Sequence, residues 1–282
     1  MAEQAGVYTA GVQDSVASLG KIGEEEFESM ALPLWREAFL GIDWLSLRAS
    51  AVYRGIGVAR GDNAAVVVVP GFLGSDQYLG DLYAWLRRIG YQPYMSGIGR
   101  NAECPNVLTE RLLETVERAY TDTGGKVHLI GHSLGGVLAR GAAVRRPRLM
   151  ASVVTMASPF RGVRVHPFVL QTAYLVRGRI LTRRNGPPVL PDCYSGACTC
   201  DFLNALREEF PASVPQIAIY TKTDGVVDWR VCINEDPSTD VEVPGTHVGL
   251  AFNPRVYSHI GAFLAGPRRY GRAAAAKAGE EP

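Results

Sequence analysis

From residue 64 onward, short continuous runs of apolar residues alternate with segments in which apolar or small residues recur at helical spacing. Residues 64–69 form an unbroken run of alanine and valine, which is typical of a central strand buried on both faces. Four further short apolar runs predict strands at 91–95, 126–130, 151–156 and 216–221. Three segments with helical spacing or small residues predict helices between them: one capped by Ser75 that continues to Ile89, 108–120, and 135–143. This alternation predicts an α/β fold with a mostly parallel central sheet and helices on both faces.

The chain before this alternation has a different character. Residues 24–42 carry apolar side chains at helical spacing, interrupted by Pro33. The polar side of this segment is acidic and would be repelled by anionic lipid, so we interpret it as a surface helix rather than a membrane-binding one. We therefore predict an N-terminal helical extension packed on the core at 1–63, an α/β domain at 64–265 and a disordered tail at 266–282.

A basic interval interrupts the alternation between Arg161 and Pro191 and contains no Asp or Glu. Its six arginines are Arg161, Arg164, Arg177, Arg179, Arg183 and Arg184. A stripe at helical spacing accompanies them: Phe168, Thr172, Ala173, Val176 and Ile180. We predict a small cap insertion over the carboxyl edge of the sheet, at about 161–210. The arginines either are solvated and pair with acids elsewhere in the fold, or they recruit an anionic lipid head group or a membrane surface.

Composition narrows the possible functions. The chain has 282 residues, 47% of them hydrophobic and 20% charged, which is an ordinary globular balance. Its 29 basic and 28 acidic residues give a net charge of +1, so we do not expect nucleic acid as a partner. No apolar run reaches the length of about 18 residues that a membrane span needs. Residues 1–11 lack the basic and apolar regions of a secretory signal, which favours a cytoplasmic location.

Three of the five cysteines lie close together in the chain, at Cys193, Cys198 and Cys200. Their C-x4-C-x-C spacing differs from the C-x2-C spacing that holds a tetrahedral zinc ion, so we predict no metal site and no cofactor. Two interpretations remain for the thiols. They are reduced, or one disulfide joins this cluster to Cys232.

A candidate nucleophile follows the predicted strand at 126–130. Residues 131–135 read Gly-His-Ser-Leu-Gly, which matches G-x-S-x-G between a strand and a helix. On such a sharp turn the glycines avoid collisions, and the hydroxyl of Ser133 is held exposed at the N-terminus of a helix, where the helix dipole favours a developing anion. An ordinary glycine-rich turn is the simpler explanation of the pattern, but its position between strand and helix favours the catalytic interpretation.

An oxyanion hole could form beside this serine. Residues 69–74 read Val-Pro-Gly-Phe-Leu-Gly and follow the first central strand. The backbone N–H groups of Phe72 and Leu134 could then stabilise a tetrahedral intermediate. Taken alone, the Pro-Gly pair is a common turn. Its position after the strand at 64–69 makes the functional interpretation the better one.

The acid and the base follow in the chain order expected for a Ser, Asp, His triad. Asp224 stands in an Asp-Gly turn after the strand at 216–221, with Asp228 as a rival. His247 precedes the predicted last helix, and His259 within that helix is its competitor. Of the other histidines, His128 is assigned to the core and His132 to the variable position of the G-x-S-x-G motif.

Six motifs together give the chain a specific resemblance. They are Pro-Gly-Phe at 70–72, Gly-Ile-Gly-Arg-Asn at 97–101, Gly-His-Ser-Leu-Gly-Gly at 131–136, Ala-Ser-Pro-Phe-Arg-Gly at 157–162, Thr-Asp-Gly-Val-Val at 223–227 and Gly-Thr-His-Val-Gly at 245–249. With them the chain resembles bacterial α/β-hydrolases of the lipase and esterase type, and within those the lipase-related inositol deacylases. The resemblance covers about residues 64–265. It implies that Ser133, Asp224 and His247 form the triad and that Phe72 and Leu134 supply the oxyanion hole.

The resulting expectation is a serine hydrolase that cleaves carboxylic esters, with lipid esters as the expected substrates. Many lipases carry His-Gly where this chain has Pro70 and Gly71, a change that keeps the backbone donor but removes a side chain from the loop. Two alternatives stay open. The same triad could serve an acyltransferase or thioesterase, or the scaffold could be a non-catalytic binding module.

Overall fold

Six parallel strands form one sheet in the spatial order β2-β1-β3-β4-β5-β6. The strands are β1 (Ala65–Val69), β2 (Gln92–Met95), β3 (Val127–His132), β4 (Met150–Met156), β5 (Gln216–Tyr220) and β6 (Asp240–Glu242). The computed structural model describes residues 33–183, 199–267 and 270. All five strands predicted from apolar runs are present within two residues of their predicted ends, and β6 adds an edge strand.

Seven α-helices accompany the sheet in the described part of the chain. They are α1 (Leu40–Ala49), α2 (Gly80–Arg88), α3 (Pro105–Thr123), α4 (Leu134–Arg145), α5 (Pro167–Thr182), α6 (Asp201–Arg207) and α7 (Pro254–Leu264). Ser75 precedes a 3-10 turn that leads into α2, but its side chain makes no capping hydrogen bond, contrary to the sequence prediction. None of the described helices is long and apolar enough to cross a bilayer.

Strand β1 shows why the sheet has a layer of helices on each face. Val66 and Val68 point into one core with Trp85 of α2 and Tyr257 of α7, while the three alternate residues of β1 point into the other. The second core contains side chains from α3, α4 and α6. Because both faces are covered, all five residues of β1 are buried, as the valine run predicted. The predicted α/β class, with a parallel sheet and helices on both faces, is thus confirmed.

The described part of the N-terminal extension, from residue 33 to residue 63, packs on the first of these cores. Leu47 of α1 is fully buried there, and Tyr53 is nearly so. Residues 1–32 lie outside the described part. Of the predicted disordered tail, the structure describes Gly266, Pro267 and Tyr270, and the ring of Tyr270 packs edge-on against Phe263 of α7.

The interval predicted as a cap contains two helices, α5, which lies largely at the surface, and α6, which belongs to the core. In α5, Ile180 of the predicted stripe is buried and Thr172, Ala173 and Val176 are partly buried, whereas Phe168 is 62% exposed. Residues 184–198, with Arg184, lie outside the described part. Phe202 of α6 is buried among residues of α3 and α4, so the end of the interval 161–210 forms part of the core layer.

The cysteine prediction needs one correction. Cys232 is a buried free thiol whose Sγ donates to the carbonyl oxygen of Asp228 at 3.7 Å, so the alternative of a disulfide to Cys232 is wrong. Burial raises the pKa of this thiol, and the nearby charges of Asp224 and Asp228 raise it further. Cys193 and Cys198 lie outside the described residues. Among the residues that the structure describes, no group of three or more His, Cys, Asp or Glu side chains could hold a metal ion.

Candidate active site

The candidate nucleophile stands on a strained turn at the carboxyl end of β3. Ser133 has φ 53° and ψ −127°, a backbone conformation that costs energy for any residue with a side chain. Its N–H donates to the carbonyl oxygen of Met156 at the end of β4, at 2.8 Å, which fixes the turn to the sheet. The side chain of Ser133 remains partly exposed, so its hydroxyl is accessible from the carboxyl edge.

Close packing explains the three glycines around Ser133. A β-carbon at Gly131 would collide with the backbone of Gly136, and one at Gly135 would collide with the carbonyl oxygen of Val69. A β-carbon at Gly136 would collide with the side chain of Ser158. The strand, the turn and the following helix therefore approach more closely than any other residue type allows. This is the steric role that the sequence analysis assigned to the motif.

The structure brings Ser133, His247 and Asp224 into one hydrogen-bonded row. Nε2 of His247 lies 3.0 Å from Oγ of Ser133, and Nδ1 of His247 lies 2.8 Å from Oδ2 of Asp224. Oδ1 of Asp224 accepts the N–H groups of Val226 and Val227, both at 2.8 Å, which fixes the carboxylate. Both His247 and Asp224 are buried, and their loops follow β6 and β5 at the same edge of the sheet as Ser133.

The two rival residues lie elsewhere. Asp228 accepts the N–H of Arg230 at 3.0 Å and forms an ion pair with Arg164 at 3.6 Å. His259 pairs its Nδ1 with the hydroxyl of Tyr270 on the outer side of α7. Neither of them contacts Ser133 or His247 through a hydrogen bond, so the geometry favours Asp224 and His247 over their competitors.

Opposing effects act on the imidazole of His247. Burial lowers its pKa, whereas the charge of Asp224, the hydrogen bond to it and the charge of Glu37 raise it, and the net shift is upward from 6.5. A base with a raised pKa is a stronger proton acceptor. In its neutral form, this imidazole can therefore accept the proton of the Ser133 hydroxyl.

The loop with Phe72 lies beside Ser133 and is held by a buried asparagine. Nδ2 of Asn101 donates to the carbonyl oxygen of Pro70 at 2.8 Å, and the backbone of Asn101 exchanges hydrogen bonds with Leu73 and Gly74, both at 2.8 Å. In the described part of the chain, the N–H groups of Phe72 and Leu134 donate to no protein acceptor. Asn101 thus provides support for the loop in a chain that carries Pro70 where many lipases carry histidine.

Sequence reasoning gave no role to His132, which is part of the site. Its Nε2 lies 2.9 Å from the carbonyl oxygen of His247, so Nε2 carries the proton. Burial lowers the pKa of His132 to about 3, and the neighbouring His247 contributes to that shift. Its ring centroid lies 5.0 Å from that of His247 and 5.5 Å from that of Tyr78. A neutral histidine therefore connects the nucleophile turn to the loop of the base.

Comparisons with known proteins agree with this fold. A family model described as "Putative esterase" matches residues 51–187. A triacylglycerol lipase from Pseudarthrobacter phenanthrenivorans is 34% identical over 113 residues, which are 37% of this chain and 35% of that lipase. The chain is thus similar to esterases and lipases over part of its length. Both matches agree with the lipase and esterase resemblance of the sequence motifs, and the chain spans about a third of the length of that lipase.

Two solved structures support the hydrolase fold over a larger part of the chain. A metagenomic carboxyl esterase superposes with a TM-score of 0.51 at 16% identity, covering 87% of this chain and 96% of that one. A monoacylglycerol lipase from Paleococcus ferrophilus superposes with a TM-score of 0.50 at 18% identity, covering 73% of this chain and 96% of that one. At such identities the likeness establishes the fold alone.

Proposed function

We propose that this protein is a hydrolase that cleaves carboxylic esters through an acyl-enzyme on Ser133. The observation that carries the proposal is the row of hydrogen bonds from Ser133 through His247 to Asp224, at 3.0 and 2.8 Å. When Nδ1 of His247 donates to the carboxylate, Nε2 presents a lone pair to the hydroxyl of Ser133. This is the tautomer that general-base catalysis requires.

The reaction then proceeds in two halves. Oγ of Ser133 attacks the ester carbonyl carbon while its proton moves to Nε2 of His247, and the carbonyl oxygen becomes an oxyanion. The N–H groups of Phe72 and Leu134 donate to that oxyanion. As the tetrahedral intermediate collapses, the ester C–O bond breaks and the leaving alcohol takes the proton from His247. Water attacks the acyl-enzyme in the same way, which releases the acid and restores Ser133.

Labelling and turnover together test this proposal. A fluorophosphonate probe should label Ser133, and the wild-type protein should hydrolyse p-nitrophenyl butyrate. Ser133→Ala should abolish labelling and lower kcat on the order of 10⁵-fold, because removal of the nucleophile leaves only the oxyanion hole and binding. Ser258→Ala, on the exposed side of α7, serves as the matched control and should keep both the labelling and the turnover of the wild type.

The outcomes separate the alternatives. A protein that is neither labelled nor active would be a non-catalytic hydrolase-like binding module. If an added alcohol or thiol receives the acyl group faster than water does, the chain is an acyltransferase. A thioester panel tests thioesterase activity in the same assay.

We further propose lipid esters as the substrate class, on the basis of the cap. The base of the cap joins the acid loop through a bridge between Val165 and Val227, which places α5 beside the site. On α5, Phe168, Leu175 and Leu181 are 62%, 70% and 48% exposed. Exposed apolar side chains next to a reactive serine suit a substrate with an acyl chain. Two of the similar proteins are a triacylglycerol lipase and a monoacylglycerol lipase.

Part of the positive charge of the cap is compensated within the fold. Arg161 pairs with Glu235 at 2.6 Å, Arg183 with Glu103 at 2.8 Å, and Arg164 with Asp228 at 3.6 Å. These pairs agree with the simpler interpretation of the arginines, that they pair with acids elsewhere in the fold. We also propose peripheral contact of the Arg-rich cap with an anionic membrane. The exposed apolar residues of α5 would strengthen that contact.

Vesicle assays separate these contributions. The double change Phe168→Ser and Leu175→Ser should reduce turnover of a long-chain lipid ester in vesicles while sparing p-nitrophenyl acetate. If the arginines also contribute, the rate on anionic vesicles should exceed that on neutral ones and fall with added salt. Equal losses on both substrates would contradict a lipid-specific role of the cap.

A further inference from the structure

The N-terminal segment reaches the candidate active site through one carboxylate. Glu37 lies in the 3-10 helix Leu34–Phe39, which precedes α1. Its Oε1 accepts the N–H of His247 at 2.9 Å and that of Gly225 at 3.3 Å, and its Oε2 accepts the N–H of Val248 at 2.9 Å. A single side chain from outside the sheet therefore connects the loop of the base to the loop of the acid.

Two glycines make room for this segment. A β-carbon at Gly225, the residue after Asp224, would lie 2.9 Å from the carbonyl oxygen of Pro33 and 3.0 Å from Oε1 of Glu37. A β-carbon at Gly249 would collide with the carboxylate of Asp43 in α1. Gly225 shows no left-handed φ, so close approach, rather than backbone conformation, accounts for its glycine. The loops of the acid and of the base are both shaped to receive the segment.

The segment is also anchored independently of Glu37. Asp81 in α2 accepts hydrogen bonds from Nε1 of Trp44 at 2.8 Å, from Arg48 at 2.7 Å and from the hydroxyl of Tyr53 at 2.8 Å. Leu47 between them is fully buried. Loss of the Glu37 carboxylate would therefore leave the segment attached, which makes the carboxylate testable by itself.

The charged groups around His247 are few, so the effect of Glu37 can be isolated. Asp224 contacts the imidazole directly, and His132 packs against it but is neutral, because burial lowers its pKa to about 3. Asp43 lies at Gly249, and burial together with the charge of Glu37 raises its pKa. The charge of Glu37 also raises the pKa of His247 and that of Tyr78, whose hydroxyl donates to the carbonyl oxygen of Val248.

We propose that Glu37 is a positioning residue of this active site, which holds His247 in register with Asp224 and stabilises the imidazolium that forms during turnover. The proposal rests on the serine-hydrolase function proposed above. Charge-assisted hydrogen bonds to backbone N–H groups are stronger than neutral ones, so a carboxylate fixes the two loops better than an amide would. Its negative charge acts on the same proton transfer that Asp224 assists.

Glu37→Gln tests the carboxylate while keeping its shape. A glutamine presents one acceptor oxygen in place of two, so the N–H of either His247 or Val248 loses its partner. We expect kcat on p-nitrophenyl butyrate to fall about tenfold, with KM changed less than about twofold, because the missing interaction acts on the proton transfer rather than on substrate binding. The pKa of His247, measured by NMR on ¹⁵N-histidine-labelled protein, should be lower than in the wild type, because the charge of Glu37 no longer favours the imidazolium.

Asp81→Asn is the matched control, since it removes a carboxylate that anchors the same segment at a distance from the site. It should lower the melting temperature but leave kcat and the pKa of His247 as in the wild type. The proposal is overturned if Glu37→Gln leaves kcat and the pKa of His247 unchanged. It is also overturned if Asp81→Asn reproduces both effects, because loosening of the segment would then explain them.

The NMR titration separates this proposal from the proposed function. A wild-type protein without esterase activity would contradict the serine hydrolase, yet the pKa difference between wild type and Glu37→Gln would still show whether the carboxylate acts on His247. An active wild type with an unshifted pKa and kcat in Glu37→Gln would contradict the role of Glu37 alone.

Discussion

Nε2 of His132 lies 2.9 Å from the carbonyl oxygen of His247, so the residue before the nucleophile holds the backbone of the residue proposed as the base. The two side chains sit 115 positions apart in the chain. Through this contact the turn after β3 and the loop after β6 are held at a fixed separation. The distance from Oγ of Ser133 to Nε2 of His247 depends on that separation.

Replacement of His132 should therefore affect turnover more than substrate binding. His132→Leu removes the donor and leaves a buried carbonyl oxygen without its partner, so we expect kcat to fall about tenfold and the melting temperature to drop. His132→Gln keeps an N–H donor, so its kcat and its melting temperature should fall less than those of His132→Leu. Steady-state kinetics and thermal melts of the two variants check this. Equal kcat values for His132→Leu and wild type would contradict the role of this contact.

The pH dependence of turnover follows from the raised pKa of His247. The base must be neutral to accept the proton of Ser133, so activity is present above its pKa and is lost as pH falls through it. Since the charges of Asp224 and Glu37 outweigh burial, the acid limb of kcat/KM should have its midpoint above pH 6.5. A pH-stat assay from pH 5 to pH 9 checks the position of the limb, and a midpoint below 6.5 would contradict the assignment.

The two aspartates after β5 should respond differently to removal of their charge. Asp224→Asn should lower kcat by about 10⁴-fold, because the amide favours the wrong tautomer of His247. Asp228→Asn should mainly lower stability, since Asp228 is buried and its charge compensates Arg164 and Arg230. Kinetics and denaturant unfolding of both variants distinguish the two effects. The reverse ranking in kcat would make Asp228 the orienting acid.

Asn101 should control the geometry of the oxyanion loop. Asn101→Asp removes the donor to Pro70 and places a carboxylate against its carbonyl oxygen, so we expect the Phe72 N–H to shift and kcat to fall about 10²-fold. Asn106→Ala is the matched control, because Asn106 accepts the N–H of Phe202 away from the site. That variant should lose stability while its kcat stays close to that of the wild type.

Acid should destabilise the fold through His128. Burial lowers the pKa of His128 to about 4, below the 6.5 of an unfolded histidine, so the unfolded state binds more protons between these values. Stability should therefore decrease as pH falls from 7 to 5, by about 2 kcal/mol from this residue. Urea unfolding at both pH values checks this, and His128→Gln should show a smaller decrease than the wild type.

The sequence by itself determined the layers of the fold and the order of the reactive residues. The valine run of β1 requires a sheet covered on both faces, and the glycines around Ser133 require a tight strand-to-helix turn. The spacing of apolar residues indicates which positions are buried, so such features can be predicted without knowledge of the fold. The positions of Asp224 and His247 after late strands could be predicted for the same reason, although their rivals Asp228 and His259 could not be removed by pattern alone.

Only the tertiary structure decided which distant groups complete the site. Glu37 lies 188 residues from Gly225 and 210 from His247, and it is one glutamate among many in the chain. Asn101 and His132 stood in motifs, but their roles depend on a carbonyl oxygen of another loop. Three arginines of the cap likewise form ion pairs with Glu103, Asp228 and Glu235, which lie outside the interval 161–191. Hydrogen bonds between loops depend on which loops the fold brings to the same edge of the sheet. The spacing of apolar residues along the chain contains no information about that.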